Sequence, residues 1–255
     1  YFLGGQSGAL MALAIASVMN FGMYWFSGSM VLRMQGAVPL DEQKYPQIRQ
    51  MVQQITAADS LPMPKLYYVD TPIPNAFATG RNPSNAVVAV TAGIMELLDD
   101  KELYGVLAHE VGHVKNYDML VSTMAASIGG AISYLAQMAF FMGGSDEDSP
   151  NPIAMIAMLF LAPIAAGMIQ MAVSRTREFG ADDHGKAIMG GDGRPLASAL
   201  QRLEDFKPNM QNYQPSPAEQ STNHLMFANM FNMQGFASLF STHPATKARV
   251  ERLLK

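Results

Sequence analysis

Three stretches of the chain run apolar without interruption by charge: Gly8 to Phe26, Met119 to Met142 and Ile153 to Ser174. Each is near or above the roughly 18 to 20 residues that a membrane-spanning helix needs. Buried helices of a soluble bundle would carry a polar stripe, whereas these carry only scattered uncharged polar residues. The second and third runs are separated by Gly143-Gly144-Ser145-Asp146-Glu147-Asp148-Ser149-Pro150, which predicts a helical hairpin with a short acidic tip. Between the first run and the hairpin the pattern changes. Asp41 to Ala58 reads as a polar helix and Lys65 to Asp70 as a strand, with Pro62, Pro64, Pro72 and Pro74 punctuating the flanks. Asn75 to Gly80 and Asn85 to Val90 read as two short strands around a turn at Arg81-Asn82-Pro83-Ser84, so a small sheet is expected. A helix follows from Lys101 to about Asn116, capped by Asp99 or Asp100, with Leu103, Val106, Leu107, Val111 and Val114 on its apolar face. After the hairpin come a helix from Pro195 to Phe206, a polar loop over 208–223 and a closing helix from Pro244 to Leu254. No internal repeat is visible.

The predicted organisation is therefore a membrane segment over 1–33, a first cytoplasmic part over 34–118, a membrane hairpin over 119–174 and a second cytoplasmic part over 175–255. Composition supports the division. Only 15% of the 255 residues are charged and mean hydropathy is +0.07, against about 25% charged in soluble domains. The deficit is local, since 1–32, 119–145 and 149–174 contain no Asp, Glu, Lys or Arg. All 17 Lys and Arg fall in 33–115 and 175–255, and none in the hairpin tip, which places those parts on the cytoplasmic side by the positive-inside rule. Three spans put Tyr1 on the far side, and the expectation is that a further spanning helix precedes it. A net charge of −4 and a pI near 5.7 leave no basic footprint for nucleic acid. With no Cys, disulfides, thiolate metal sites and Cys nucleophiles are excluded together.

Chemistry concentrates on the helix after Asp99, at His109-Glu110-Val111-Gly112-His113. Residues i and i+4 share a helix face, so both imidazoles can converge on one metal while Glu110 lies beside it without ligating, the arrangement of a zincin. Two His leave a catalytic tetrahedral zinc one protein ligand short, and without Cys the third must be His, Asp or Glu. Glu178 and Asp182 stand four apart just after the third apolar run. The hairpin returns the chain to its starting level, so Glu178 can ligate while Asp182 accepts a hydrogen bond from a ligand imidazole.

These residues carry a resemblance. His109-Glu-Val-Gly-His113, Asn75-Ala-Phe-Ala-Thr-Gly80, Ser174-Arg-Thr-Arg-Glu-Phe-Gly-Ala-Asp182 and Ser241-Thr-His-Pro244 with Arg249 resemble the HtpX family of bacterial heat-shock membrane proteases. That family is similar to the CAAX prenyl endopeptidases of eukaryotic membranes. The resemblance runs over essentially the whole chain; Gly180 stands where the family often has a bulkier residue. It implies an α+β fold: a mostly α-helical integral membrane protein with a gluzincin-like zincin domain containing a small β-sheet, facing the cytoplasm from a bacterial inner membrane. It further implies one Zn2+ per chain on His109, His113 and Glu178, Glu110 as general base, and His243 as donor to the oxyanion. His243 before Pro244 is equally a cap and turn device. Asn75, Ala76, Phe77 and Ala78 would form the edge strand that takes substrate backbone by β-augmentation, though an ordinary hairpin strand would look the same. The implied partners are unfolded or damaged proteins and membrane lipids.

Two other functions compete. A prenyl-protein processing protease would use the same chemistry, but those enzymes need several more spans than this chain supplies. A non-proteolytic scaffold holding zinc for structure would close its site with four protein ligands, and only three are well placed. Other features read as ordinary: the 21 Met as packing filler, His184 as a surface residue, His224 as unpartnered, the acidic tip as a solvated loop, and Gly190-Gly191-Asp192-Gly193 as a turn.

Overall fold

Val87-Val88-Ala89-Val90 is apolar without alternation and, with Thr91, buried at every position, the signature of a strand covered on both faces. In the computed structural model, which describes residues 18, 21–22, 24–26, 28–142, 152–206 and 244–255, it is an inner strand of a four-stranded sheet. The strands are β1 (Val38–Pro39), β2 (Lys65–Val69), β3 (Ala76–Thr79) and β4 (Val87–Thr91), in the order β1-β2-β4-β3. β2 and β4 run parallel, and the other two pairs are antiparallel. β3 therefore lies at an edge.

Beyond the helical residues 28–34, the described helices are α1 (Pro46–Ala58), α2 (Ala92–Leu97), α3 (Asp100–Lys115), α4 (Asp118–Met142), α5 (Pro152–Ile188), α6 (Arg194–Asp205) and α7 (Thr246–Leu253). α1 starts at Pro46, not at Asp41, because a proline with its fixed φ suits the first helical position; Asp41 instead closes a turn by accepting from the amides of Gln43 and Lys44. α3 opens with a capping box: Asp99 accepts from the amide of Glu102, whose side chain accepts from the amide of Asp99. The other oxygen of Glu102 accepts from Ser198 at 2.6 Å, and Arg202 donates to the carboxylate at 2.6 Å, fastening α3 to α6.

α3 runs through the middle of the core. Ile48, Val52 and Ile55 of α1, Leu66, Val88 and Val90 of the sheet, Leu196, Leu200 and Leu203 of α6, and Val250 and Leu253 of α7 surround Leu103, Val106, Leu107 and Val111. Each such side chain contributes roughly 1.5–3 kcal/mol on burial, and together they fix the helix that carries the His pair. The opposite face of the sheet packs Val69, Phe77, Val87 and Ala89 against Leu32, which belongs to the helical residues 28–34 following the first apolar run. The same segment reaches the end of β3: Tyr24 donates to the carbonyl of Arg81 at 2.9 Å, and the Arg81 guanidinium stacks 4.1 Å from the Trp25 ring. Gly80 closes β3 at φ +132°, where a Cβ would lie 2.4 Å from the Asn85 carbonyl oxygen; only glycine fits there.

α4 over Asp118–Gln137 and α5 over Ile156–Ile188 are long and apolar enough to cross a membrane, and they pack along each other. Leu135, Phe160, Leu161 and Met168 point outward from the pair. The third apolar run does not end its helix at Ser174. α5 continues unbroken to Ile188, so the apolar stretch and the Glu178–Asp182 face form one rod, with Pro163 inside it. Residues 8–17 of the first run, the acidic tip, the 208–223 loop, His224 and His243 lie outside the described residues.

Candidate metal centre

α3 and α5 cross where a glycine of α3 makes room for a side chain of α5. A Cβ on Gly112 would sit 2.9 Å from the His184 ring, so this glycine permits the close approach that sets His109 and His113 of α3 opposite Glu178 of α5. The two His Nε2 atoms are 3.1 Å apart. Glu178 Oε2 lies 3.7 Å from His109 Nε2, and Glu178 Oε1 lies 3.6 Å from His113 Nε2. Among the described residues these three form a group whose ligand atoms all fall within 4.8 Å of one another. Donors bound at about 2.0–2.2 Å to a tetrahedral zinc lie roughly 3.3–3.6 Å from each other. The two imidazoles and one carboxylate are therefore spaced as three protein ligands of a zinc-type cation, and a catalytic zinc site keeps its fourth position for water or substrate.

Each imidazole is held from behind. Asp182, fully buried, presents Oδ1 3.0 Å from His109 Nδ1. Arg249 of α7, itself 2% exposed, grips Asp182 with two hydrogen bonds, Nε to Oδ2 at 2.8 Å and Nη2 to Oδ1 at 2.7 Å. Its Nη1 lies 3.5 Å from Glu178 Oε2. His113 has its own carboxylate: Asp118 Oδ2 is 2.6 Å from Nδ1. Ionised carboxylates only accept, so a neutral imidazole at either position keeps its proton on Nδ1 and has its Nε2 lone pair on the side of Glu178. Burial pushes His109 down to about 4, which keeps it in the neutral, ligating form. For His113 burial pulls down as well, but the hydrogen bond to Asp118 and the charges of Glu178 and Glu110 outweigh it, and the net direction is up.

Glu110 does not join the group of three. Its Oε2 accepts from the amide of Ala78 at 2.7 Å, and burial, with the Glu178 charge adding, lifts its carboxyl to about 7. That contact fixes the orientation of β3. Thr91 donates its amide to the carbonyl of Asn75, and in an antiparallel pair the hydrogen-bonded positions alternate, so Asn75 and Phe77 are tied to β4. Ala76 and Ala78 turn their amides and carbonyls to the free edge, over Glu110. Asn75 is also buried, its amide bonded to Thr91 Oγ1 at 2.8 Å, and the Phe77 side chain packs on the far face of the sheet with Leu32. Of the four strand residues singled out from the sequence, Ala76 and Ala78 bring backbone to the cleft and Asn75 and Phe77 do not.

His184 corrects the expectation of a surface residue. Its side chain is 9% exposed, Nε2 lies 2.6 Å from Asp59 and Nδ1 lies 2.9 Å from the carbonyl of Ala108, so it braces α3 one residue before His109. Asp118 escaped the sequence reading because it stands five residues after His113, off the i+4 face. It comes back under the ring only through the left-handed backbone of Tyr117, φ +55°. Arg249 was visible as a motif residue, but its burial was not, since it arises from α7 packing over the centre.

The profile of Peptidase family M48 matches residues 42–255. A protein of Ralstonia nicotianae named "Protease HtpX homolog" is 49% identical over 254 residues, covering 99% of this chain and 88% of that protein. Its namesake from Burkholderia thailandensis is 48% identical over 255 residues, at 99% and 89% coverage. The crystal structure of S. mikatae Ste24p superposes with a TM-score of 0.57 at 18% identity, covering 96% of this chain; the chain spans 58% of the length of Ste24p. With two helices able to cross a membrane and a His-His-Glu group beside a buried Glu, the chain is a membrane metalloprotease belonging to peptidase family M48.

Proposed function

We propose that this chain is an endopeptidase that hydrolyses unfolded or damaged proteins, those of the membrane included, with Glu110 as general base. The metal is one zinc on His109, His113 and Glu178. The observation that carries the reading is the hydrogen bond from Ala78 to Glu110, because it places one carboxylate between the ligand group and a free strand edge. An extended substrate added to β3 would pair with the backbone of Ala76 and, once the Ala78 amide is released from Glu110, of Ala78; main-chain pairing accepts many sequences, as removal of damaged proteins requires. When bound, zinc supplies a Lewis acid that lowers the pKa of water to about 7 and polarises a carbonyl. Glu110 then takes the proton of the attacking water on its carboxylate and hands it to the leaving amine. Asp182, braced by Arg249, keeps His109 in one tautomer throughout. His243 is proposed as a further oxyanion donor. The distribution of Lys and Arg supports a catalytic part facing the cytoplasm, from an inner membrane whose lipids contact α4 and α5.

The test is metal removal. In detergent, the chain should cleave an unfolded soluble protein, lose that activity on dialysis against a chelator and regain it when zinc is returned. Cleavage that persists in chelator would contradict the reading.

A further inference from the structure

The two His ligands are held by different parts of the molecule. His109 is oriented by Asp182 and Arg249, both within the core, whereas His113 is oriented at the point where the chain enters the membrane. Asp118 is the first residue of α4, 7% exposed, with Oδ2 2.6 Å from His113 Nδ1. Tyr117 supplies the turn that brings it there, at a φ of +55° that a bulky residue adopts only under constraint from its surroundings. From the facing helix, Arg177 of α5 sets its Nε 3.6 Å from the second oxygen of Asp118. Among the described residues Arg177 Nε and Nη1 are buried atoms with no hydrogen-bond partner and Asp118 is the carboxylate that Arg177 is paired with; Arg177 is the neighbour in sequence of Glu178. The line of contacts runs from α4 through Asp118 to His113, and from α5 through Arg177 to Asp118.

We propose that Asp118 is the positioning residue of His113 and that Arg177 holds it from the opposite helix, so that the membrane ends of α4 and α5 together set the second ligand of the metal centre. Partners of this kind fix the tautomer and ring plane of a ligating imidazole and raise its basicity. Because the two groups sit on different apolar helices, a separation of α4 from α5 pulls Arg177 from Asp118 and loosens His113. The inference rests on the reading of His113 as a ligand.

The experiment measures Zn2+ affinity of the full chain in lipid nanodiscs by competition with a chromophoric chelator. Asp118→Ala should weaken zinc by about 10- to 100-fold, the range found when such partners are removed. Asp118→Asn, which still accepts the Nδ1 proton but lacks the charge, should lose less, and Arg177→Gln should also lose less than the Ala variant. The visible absorption bands of the Co2+-loaded chain should shift in the Asp118 variants, a change that loss of a purely structural contact would not produce. Asp183→Asn, at an exposed ion pair with Arg252, should bind as wild type does. Should Asp118→Ala fail to fold, Asp118→Asn still decides. Wild-type zinc affinity in both Asp118 variants, with His113→Ala losing the metal, overturns the proposal alone. Wild-type affinity in Arg177→Gln overturns the role of the second helix. Full zinc retention in His113→Ala overturns the ligand reading itself and this inference with it.

Discussion

Glu110→Gln should abolish measurable proteolysis while leaving the metal in place. Gln has the shape of Glu and can still accept the Ala78 amide through its carbonyl oxygen, so β3 stays docked and α3 keeps its packing. Glu110 contributes no atom to the group of three ligands, and bound zinc should therefore match the wild type. What disappears is the proposed base. A positioned acid-base group is worth roughly 10²–10⁴ in rate, and cleavage of an unfolded substrate, followed by gel densitometry, should fall by that much. A variant that cleaves at the wild-type rate would remove Glu110 from the mechanism. Loss of zinc along with activity would give it a role in holding the metal instead.

The second large effect is on stability. Arg249 is among the largest fully buried side chains of the described residues. Its guanidinium makes two hydrogen bonds to Asp182 and approaches Glu178. Arg249→Leu leaves both buried carboxylates without the guanidinium that pairs with them. Removing one partner of a buried pair costs about 3–5 kcal/mol, because the remaining charge is uncompensated. Denaturant unfolding of the metal-free chain in detergent should show that loss. Adding Asp182→Asn to the same chain should recover much of it, since the unpaired charge is then gone, and the non-additivity of the two changes measures the coupling. If Arg249→Leu unfolds at the wild-type midpoint, the guanidinium is not what holds the carboxylates together. Arg249→Lys keeps the charge but not the two-pronged grip and should fall between.

Much of the fold is legible along the chain because it depends on local pattern. β2 and α3 begin and end within a residue or so of where alternation and helical periodicity put them, and the His-Glu-His spacing needs nothing beyond one turn of helix. What could not be read depends on contacts between distant segments. β1 has two residues, too few for a period, and exists only because β2 offers a partner. α5 hides its length because hydropathy changes at Arg175 and the helix does not. His184 looked like one polar residue among several, until the crossing at Gly112 closed α5 over α3 and gave it Ala108 and Asp59 to bond. Asp118 is the sharpest case: its place beneath His113 depends on one backbone angle at Tyr117 that no residue type there announces.

The three proposed ligands come from α3, before the α4–α5 pair in sequence, and from the last turns of α5 itself, and the proposed chemistry requires that they meet at one cation. Zinc per chain, determined by elemental analysis on purified wild type and on Glu178→Ala, tests this most directly. The prediction is one equivalent in the wild type and near none in the variant, with both chains folded. Full zinc in Glu178→Ala, or none in an active wild type, would contradict it.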